Sequence, residues 1–518
     1  MHAPSTRAGS IPWLRCWIEG AGAAILLTLP LLYLHIAPLH TDLYHRLLPM
    51  NNVYCGVLID LVVAILASTL VLRALHRYDP GANTLLWLLF FDILLMRVAI
   101  CLGNAEILSR IISPGRIFLT AAVAGLLLWA IRRTWYRIVM RGALVTTLLV
   151  GFAIFWIIPQ LAWMADYPEP HDIASFSKPT AQPPSRRIVW ILLDELSYDQ
   201  VFDHRYPGLA LPNFDRLASH SVSFSDVQPA GYYTELILPS LLEGHIVRAE
   251  RSNLQGDFFV KTQGTKAWHP YPVGQTLFAD AQRAGWSTAA AGWYLPYCRE
   301  FAPVLDRCYW TFAAPLPGGY AQDQSVWWNA VAPVRKPLLR LVGIRVRQPT
   351  TAQDHAADFN GILAQGRAMI AGQDTGFVFI HLPVPHPAGF YNRRSGAMGV
   401  PGSYIDNLAV ADRTLGQLLQ DIDSTKLAGQ TILIVSSDHS WRIPMWRPEF
   451  DWTKEDESAS RGAHFDSRPV VIVHFPAQQN GVQISRPFPL LDMHTMLQQM
   501  IATRIEDPQQ LTTWAAQR

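Results

Sequence analysis

The sequence predicts a two-part protein, in which an N-terminal bundle of five transmembrane helices precedes an α/β sandwich with a mostly parallel central sheet. Two observations lead to this prediction. The apolar excess of the 518-residue chain lies almost entirely before residue 165. Downstream, short apolar runs of strand length alternate with segments of helical periodicity. The mean hydropathy of +0.14 is therefore an average over two unlike parts.

Composition excludes two classes of protein. A formal net charge of +2 is too small for a dedicated nucleic-acid-binding protein, which needs a basic surface to match phosphate groups. Aromatic residues make up 11% of the chain, which is too many for a largely disordered protein. The length exceeds that of a single ordinary domain, so we expect two or three folding units.

Five apolar runs lie within residues 1–165, which we predict to form the transmembrane domain. A hydrocarbon core about 30 Å thick requires about 20 helical residues, and all of the runs except the fourth are long enough or close to it. A cleaved signal peptide would account for the first run but not for five in succession. The runs are residues 21–38, 53–75, 83–102, 117–131 and 143–164.

The positions of the arginines predict the orientation of this domain. They cluster before the first run, after the second run and after the fourth run. Because positively charged loops remain in the cytoplasm, we expect a cytoplasmic N-terminus. Five crossings then place everything after residue 164 outside the cytoplasm. For a bacterial chain this predicts a multi-pass protein of the inner (cytoplasmic) membrane with a periplasmic or otherwise extracytoplasmic second domain.

Three ionisable side chains lie inside the apolar runs, namely Asp60, Asp92 and Arg97. Charged groups at membrane depth line a functional cavity or pair with one another. Two interpretations therefore remain open: a polar pocket for a lipid headgroup or carrier, and an ion pair that orients the helices.

A change of composition separates the membrane domain from the second domain. Residues 166–187 are rich in proline and polar residues and predict a partly extended linker. In residues 188–518, near-continuous apolar strands alternate with amphipathic helices, which is typical of a mostly parallel sheet covered on both faces. The predicted strands are residues 187–193, 287–293, 376–382, 431–437 and 469–475, and the predicted helices are residues 213–220, 273–284, 354–371 and 404–422.

Side chains that bind divalent metals follow three of these strands. Asp194 and Glu195 come after the first strand, His386 after the third, and Asp438 and His439 after the fourth. Functional groups of open α/β sheets gather at the carboxyl ends of the strands. Each residue alone has an ordinary explanation as a helix cap or a buried histidine. Because the sets come from distant segments and converge at one edge, we predict a metal site there.

Thr234, in the segment PAGYYTELILPSLLEG, is the candidate nucleophile. It precedes an apolar helical turn, and a hydroxyl at the start of a helix lies beside free backbone N–H groups that favour an anionic substrate. An ordinary helix N-cap is the alternative interpretation of this threonine.

The order of the motifs DEL, YTELILPS, HLPVPHP and SSDHSWR, followed by a late histidine, resembles the alkaline phosphatase superfamily in its membrane-bound sulfatase-like branch. That branch includes lipoteichoic acid synthases and phosphoethanolamine transferases, which have five membrane helices before an extracytoplasmic catalytic domain. The resemblance covers the architecture of the whole chain and the motif order of roughly residues 187–480. It implies an alkaline-phosphatase-like fold and a metal-dependent, sulfatase-like catalytic domain in residues 188–518.

The resemblance also implies a set of metal ligands. Glu195 is included because this chain has an Asp-Glu pair where relatives have a lone glutamate, so that Glu195 shares or replaces the role of Asp194. His464 matches a late histidine that in relatives binds a second metal or the substrate phosphate. Carboxylate, imidazole and hydroxyl ligands suit Zn²⁺, with Mn²⁺ as the alternative. The implied ligands are Asp194, Glu195, Thr234, Asp438, His439 and His464.

The reaction implied by the resemblance is attack of Thr234 on a phosphorus diester, which gives a phospho-threonine intermediate. A glycan or lipid of the cell envelope, or water, then takes up the group from a phospholipid donor. His386 protonates the departing oxygen or activates the incoming one. Arginines are candidate phosphate contacts, and His381, inside the third strand, has either a substrate-binding or a structural role. The candidate substrate-binding residues are His381, Arg442 and Arg468, and Arg461 is a further candidate.

Three alternatives to a phosphotransferase follow from the same resemblance. Sulfatases of this type need a formylglycine made from cysteine or serine, and threonine at position 234 does not give that aldehyde, which argues against sulfate ester hydrolysis. A phosphodiesterase or phosphonate hydrolase would transfer the group to water. A non-catalytic envelope assembly protein would keep the fold without a metal.

Two cysteines of the second domain are predicted to form a disulfide. Cys298 and Cys308 lie close together in the segment YCREFAPVLDRCYW. The predicted extracytoplasmic compartment is oxidising, which permits the pair to form.

Overall fold

The computed structural model describes residues 13–14, 16–24, 51–78, 174–178, 186–252, 257–312, 324–332, 351–449 and 452–518. Its helices are α1 (Asn51–Tyr78), α2 (Pro212–Ala218), α3 (Thr234–Glu243), α4 (Leu277–Arg283), α5 (Tyr297–Glu300), α6 (Val326–Ala330), α7 (Thr351–Ala371), α8 (Tyr404–Asp423), α9 (Ile443–Trp446), α10 (Lys454–Ala459), α11 (Asp492–Ile501) and α12 (Pro508–Ala516). Its strands are β1 (Ser175–Ser177), β2 (Arg187–Leu193), β3 (Val222–Phe224), β4 (Val227–Gln228), β5 (Val247–Ser252), β6 (Phe258–Thr262), β7 (His269–Pro270), β8 (Thr288–Trp293), β9 (Arg307–Thr311), β10 (Phe377–Leu382), β11 (Gly389–Asn392), β12 (Ala397–Gly402), β13 (Thr431–Ser436), β14 (Val471–His474), β15 (Val482–Ile484) and β16 (Phe488–Pro489).

The chain divides into two compact units. The first comprises residues 1–38, 49–168 and 315–346, and the second comprises residues 39–48, 169–314 and 347–518. The second unit contains every candidate site residue downstream of the predicted membrane domain.

In the first unit, α1 is a 28-residue helix, and its segment Cys55–Leu75 is long and apolar enough to cross a membrane. It is the one helix of the described part of the chain that meets this test. Its aliphatic side chains on one side are exposed, among them Leu66 and Leu70. The predicted runs 83–102, 117–131 and 143–164, with Asp92 and Arg97, lie outside the described residues, as does run 21–38 beyond residue 24.

In the second unit, the described strands build a nine-stranded mixed sheet in the order β1-β9-β8-β10-β2-β13-β14-β3-β15. Within this order, β9, β8, β10, β2 and β13 run parallel to one another, which agrees with a mostly parallel sheet. Four of these five strands were predicted, and β9 was not. The predicted strand at 469–475 corresponds to β14, which is antiparallel to β13 and makes the sheet mixed. The segment between them stays at the carboxyl end of β13, where Ser437 donates a backbone hydrogen bond to Val470 (3.0 Å), so the chain re-enters the sheet from that end.

Both faces of the sheet are covered. Alternate residues of β2 enter two separate apolar cores, with Trp190 in the core beneath α3, α4 and α11 and Ile191 in the core beneath α7 and α8. All seven residues of β2 are buried, and the six that follow Arg187 form a continuous apolar run, as is typical of a strand covered on both faces.

Two details of this unit bear on the predictions. The predicted linker 166–187 includes β1, which pairs antiparallel with β9 at Ser175 and Tyr309, so part of it belongs to the sheet. Cys298 and Cys308 form a disulfide that connects α5 to β9.

Candidate active site

The site lies at the carboxyl ends of two adjacent parallel strands. Asp194 directly follows β2, and Asp438 comes two residues after the end of β13, whose Ser436 is paired with Leu192 of β2. Because these ends meet at one edge of the sheet, residues 244 positions apart in the sequence become neighbours. Both carboxylates are fully buried, with 0% of their surface exposed.

Thr234 is the first residue of α3 and points at His439. The N-cap position is Tyr233 in extended backbone, so Thr234 does not act as the N-cap that the sequence left open. Its Oγ1 lies 3.0 Å from Nε2 of His439, and the threonine is 3% exposed. The candidate nucleophile is therefore buried beside the predicted metal ligands.

The ligand atoms of Asp194, Asp438 and His439, called here the inner group, all lie within 4.8 Å of one another. Nε2 of His439 is 3.0 Å from Oδ2 of Asp438 and 3.8 Å from Oδ1 of Asp194. Those two carboxylate oxygens are buried and have no hydrogen-bond partner among the described residues. Buried oxygens without partners are costly unless a cation compensates them, so this donor set fits a divalent metal.

The tautomer of His439 agrees with a role as metal ligand. Its Nδ1 lies 3.0 Å from the carbonyl oxygen of Ser440, which accepts a hydrogen bond from this nitrogen. In the neutral ring the Nε2 lone pair then faces the inner group. A backbone carbonyl in this place orients a ligating histidine and fixes the proton on the other nitrogen.

The inner group concentrates negative charge. Burial raises the pKa of Asp194, and the charge of Asp438 raises it further. Burial opposes protonation of His439, yet the attraction of Asp438 raises the pKa of its ring to about 9. A bound divalent cation would satisfy the same negative field by displacing a proton.

Glu195, predicted to share the metal site, points elsewhere. Its backbone φ is 64°, and its carboxylate accepts hydrogen bonds from Nε of Arg442 (2.5 Å) and from the indole N–H of Trp446 (2.8 Å). The chain turns at Asp194 and Glu195 directly after β2, and the left-handed backbone of Glu195 directs its side chain away from Asp194 and towards Arg442. Glu195 therefore lies outside the inner group and forms a buried ion pair.

Arg442 connects three parts of the site. Besides Glu195, its guanidinium contacts the carbonyl oxygen of Tyr232 (3.3 Å), two residues before Thr234, and Nε2 of His386 (3.4 Å). Only 4% of the arginine is exposed. Burial lowers the pKa of His386 well below its ordinary value, and the charge of Arg442 lowers it further, so this ring is neutral near pH 7.

His381 lies behind Asp194. Its Nε2 is 3.3 Å from Oδ2 of Asp194, its Nδ1 is 3.0 Å from the hydroxyl of Tyr297, and the ring is 0% exposed. Because both ring nitrogens have protein partners in this buried position, the contacts favour the structural alternative over the substrate-binding one.

The structure does not include His464, Arg461 or Arg468 in the inner group. His464 is exposed and, within the described part of the chain, is not a member of the inner group. A second acidic cluster, called here the outer group, consists of Asp199, Asp203 and Asp466. Arg461 pairs with Asp199 (3.0 Å), and Arg468 pairs with the other two aspartates.

Two residues that surround the site escaped the sequence analysis. Tyr297 contacts His381, and its only sequence signal is that it precedes a cysteine. Trp446 donates to Glu195, and its ring lies 5.1 Å from that of His386, in a segment whose motif ended at Arg442 in the sequence analysis.

Comparison with known families decides the affiliation of this fold. The family model described as Sulfatase matches residues 186–459, more than half of the chain. The chain belongs to the sulfatase family. The resemblance to the sulfatase-like branch of the alkaline phosphatase superfamily is thus confirmed, and the second unit has the alkaline-phosphatase-like α/β fold with a mixed sheet. Family membership identifies an enzyme that acts on phosphoric or sulfuric esters.

Solved structures similar to this chain include three of the superfamily. The lipoteichoic acid synthase LtaP from Listeria monocytogenes is 10% identical over 61% of this chain and 72% of its own, with a TM-score of 0.38. The phosphonate monoester hydrolase of Agrobacterium radiobacter is 15% identical over 61% and 74%, with a TM-score of 0.38. An alkaline phosphatase superfamily protein from Vibrio parahaemolyticus is 15% identical over 63% and 68%, with a TM-score of 0.35. A comparison with curated proteins finds no match.

Proposed function

We propose that the chain is a membrane-anchored, metal-dependent phosphotransferase that acts through phospho-Thr234. The observation that carries this proposal is the 3.0 Å contact between the Thr234 hydroxyl and His439, beside the two unpartnered oxygens of Asp194 and Asp438. A nucleophile, a nitrogen ligand and two carboxylates thus meet in one buried place.

The first step joins Thr234 to the substrate. A bond forms between its Oγ and phosphorus while the bond from phosphorus to the departing lipid alcohol breaks, and the threonine proton leaves with that alcohol. Asp194, Asp438, His439 and Thr234 would hold a divalent metal, which would supply charge neutralisation and lower the pKa of the hydroxyl. The buried position of Thr234 keeps water away from its oxygen.

The second step releases the group. A hydroxyl of an envelope glycan or lipid attacks phosphorus, the bond to Oγ breaks, and Thr234 regains a proton. His386 is suited to donate a hydrogen bond to an oxygen of the substrate. Arg442 donates to its Nε2 (3.4 Å), so the neutral ring carries its proton on Nδ1, which has no hydrogen-bond partner among the residues described. The proton of the incoming hydroxyl passes to Oγ of Thr234. Arg442 holds His386 on one side and the backbone before Thr234 on the other.

Membrane anchoring gives a reason for the two-part architecture. A catalytic unit held at the membrane surface meets a phospholipid donor at a raised effective concentration. The proposal therefore includes the multi-pass inner-membrane topology predicted for residues 1–165, with the second unit outside the cytoplasm. The apolar segment Cys55–Leu75 supports this part.

Thr234 also separates the proposal from sulfate ester hydrolysis. The sulfatase family includes enzymes that use an aldehyde made from cysteine or serine, whereas this chain has threonine at the residue that contacts His439. A threonine hydroxyl attacks phosphorus directly without such a modification.

The test uses full-length protein in detergent micelles with phospholipids that carry a labelled headgroup. We expect mass spectrometry to find the labelled phosphoryl group on Thr234 in the wild type and in Thr234→Ser, and to find none in Thr234→Val, which keeps the shape of the side chain without its hydroxyl. Label on another residue, or equal label in Thr234→Val, would contradict the proposal. Adding sugar acceptors then separates a transferase, which labels the sugar, from a hydrolase, which releases the group to water.

A further inference from the structure

A hydrogen-bonded chain runs from Tyr297 through His381 to Asp194. The tyrosine hydroxyl lies 3.0 Å from Nδ1 of His381, and Nε2 of His381 lies 3.3 Å from Oδ2 of Asp194. The histidine and the aspartate are fully buried, and Tyr297 is 0% exposed. Solvent therefore does not compete for any of the three groups.

The direction of the two hydrogen bonds follows from the chemistry of the groups. A carboxylate only accepts, so Nε2 of His381 carries a proton and donates it to Asp194. In the tautomer with its proton on Nε2, Nδ1 is an acceptor, and the hydroxyl of Tyr297 is the donor beside it. Burial raises the pKa of Tyr297 well above its ordinary value, so its hydroxyl keeps the proton that it donates to His381.

This chain determines which oxygen of Asp194 faces the inner group. Oδ2 is taken by His381, while Oδ1 has no hydrogen-bond partner in the described part of the chain and lies 3.8 Å from Nε2 of His439. A carboxylate held at one oxygen presents the other in a fixed direction. A metal-ligating side chain that is already oriented in this way loses less conformational freedom when the metal binds.

Tyr297 is itself held firmly. A side chain at Gly292 would overlap its ring, because a Cβ built there lies 2.1 Å from Cε2 of Tyr297. The ring also packs against Phe379 (centroids 5.5 Å apart), and the neighbouring Cys298 ties α5 to β9 through the disulfide. The hydroxyl position is therefore set by the core of the unit and not by the site.

We propose that Tyr297 is a positioning residue, which fixes the tautomer of His381 and thereby orients Asp194 for the metal; this inference rests on the metal site of the proposed function. A hydroxyl outside the ligand set then controls metal affinity at a distance of two hydrogen bonds. Loss of an outer-shell contact of this kind typically weakens metal binding about 10–100-fold.

The test compares Tyr297→Phe with Tyr271→Phe in the full-length protein. Tyr271 is a matched control, because it is also buried and its hydroxyl donates to a backbone carbonyl, that of Pro239 (2.9 Å), away from the inner group. Dissociation constants for Zn²⁺ and Mn²⁺ are measured by competition with a chromophoric chelator. We expect Tyr297→Phe to weaken binding about 10-fold or more, and Tyr271→Phe to leave it unchanged.

A double-variant cycle keeps the inference testable if Tyr297→Phe lowers the melting temperature. In His381→Gln the amide N–H donates to Asp194 without any need for a tyrosine. Adding Tyr297→Phe to His381→Gln should therefore cause no further loss of metal affinity, whereas a general packing defect would lower the affinity in both backgrounds.

The outcomes separate this inference from the proposed function. If the wild type binds metal and Tyr297→Phe binds it equally well, the positioning role is wrong and the metal site stands. If Tyr297→Phe weakens binding equally in both backgrounds, the effect is packing and the positioning role is again wrong. If the wild type binds neither metal, the metal site of the proposed function fails and the inference fails with it.

Discussion

In both the inner group and the outer group the candidate ligand atoms lie within 4.8 Å of one another, but their charges face different partners. In the outer group, Arg461 and the ring of His204 contact Asp199, while Arg468 contacts the other two carboxylates. In the inner group, a histidine nitrogen lies near two buried carboxylate oxygens, and among the described residues no arginine or lysine is bonded to those oxygens. Proximity of ligand atoms therefore does not identify a metal site. Buried carboxylate oxygens without an arginine or lysine partner are the better indication.

The largest expected effect comes from removing one charge in each group. Asp438→Asn should weaken Zn²⁺ or Mn²⁺ binding by more than about 100-fold, the upper end of what an outer-shell change costs, because it removes a ligand itself. Asp466→Asn, the matched variant of the outer group, should leave the affinity unchanged. Isothermal titration of the purified protein measures both. Equal losses in the two variants would erase the distinction between the groups.

Glu195 is an intermediate case. Its carboxylate is as buried as those of the inner group, but it is paired with an arginine, as the carboxylates of the outer group are. Glu195→Gln leaves the charge of Arg442 buried and unpaired, which we expect to lower the free energy of unfolding by about 3–5 kcal/mol. Chemical unfolding of the detergent-solubilised protein, followed by tryptophan fluorescence, measures the change. Glu457→Gln, which breaks the exposed pair with Arg447, is the control and should leave the curve unchanged. If the unfolding curve of Glu195→Gln matched that of the wild type, the buried pair would not stabilise the protein as described.

Low pH should destabilise the folded protein through a buried histidine. Burial lowers the pKa of His355, whose ring stacks on Trp293, from 6.5 to about 4. Below about pH 6.5 this histidine binds a proton in the unfolded chain but not in the folded protein. The free energy of unfolding therefore falls as the pH drops towards 4, by about 3 kcal/mol in total. His355→Phe should reduce this loss between pH 7 and pH 4.5 in the same unfolding measurement. An unchanged pH dependence would rule out His355 as its source.

The smallest effect is expected in the outer group. Arg468→Met removes the cation that contacts Asp203 and Asp466 at the surface, and we expect the free energy of unfolding to fall by about 1 kcal/mol or less. Metal affinity at the inner group should stay at the wild-type value. A loss of several kcal/mol would mean that the outer group is a structural centre in its own right.

Sequence reasoning found the parts of the site that depend on strand ends. Asp194, Asp438 and His439 follow apolar strands, and Thr234 begins a helix, so their positions are local properties of the chain. The prediction of a mostly parallel sheet did not specify which strand is antiparallel. The direction of β14 depends on where the preceding segment lies and not on the composition of the strand itself.

Side-chain partners were harder to predict from the sequence. Glu195 matched a ligand motif, but its direction depends on a backbone φ of 64° and on Arg442, which lies 247 positions away. Tyr297 contacts His381 across 84 positions, and no local pattern in the sequence specifies such a contact. Motif order assigned His464 and Arg468 to the site without knowledge of which acidic group each one faces.

The most direct test of the central claim is a crystal structure of the protein grown with Zn²⁺, with anomalous scattering recorded at the zinc edge. The account predicts one strong peak about 2.0–2.2 Å from Oδ1 of Asp194, Oδ2 of Asp438 and Nε2 of His439, within bonding distance of the Thr234 hydroxyl. A peak at the outer group with none at the inner group would contradict it.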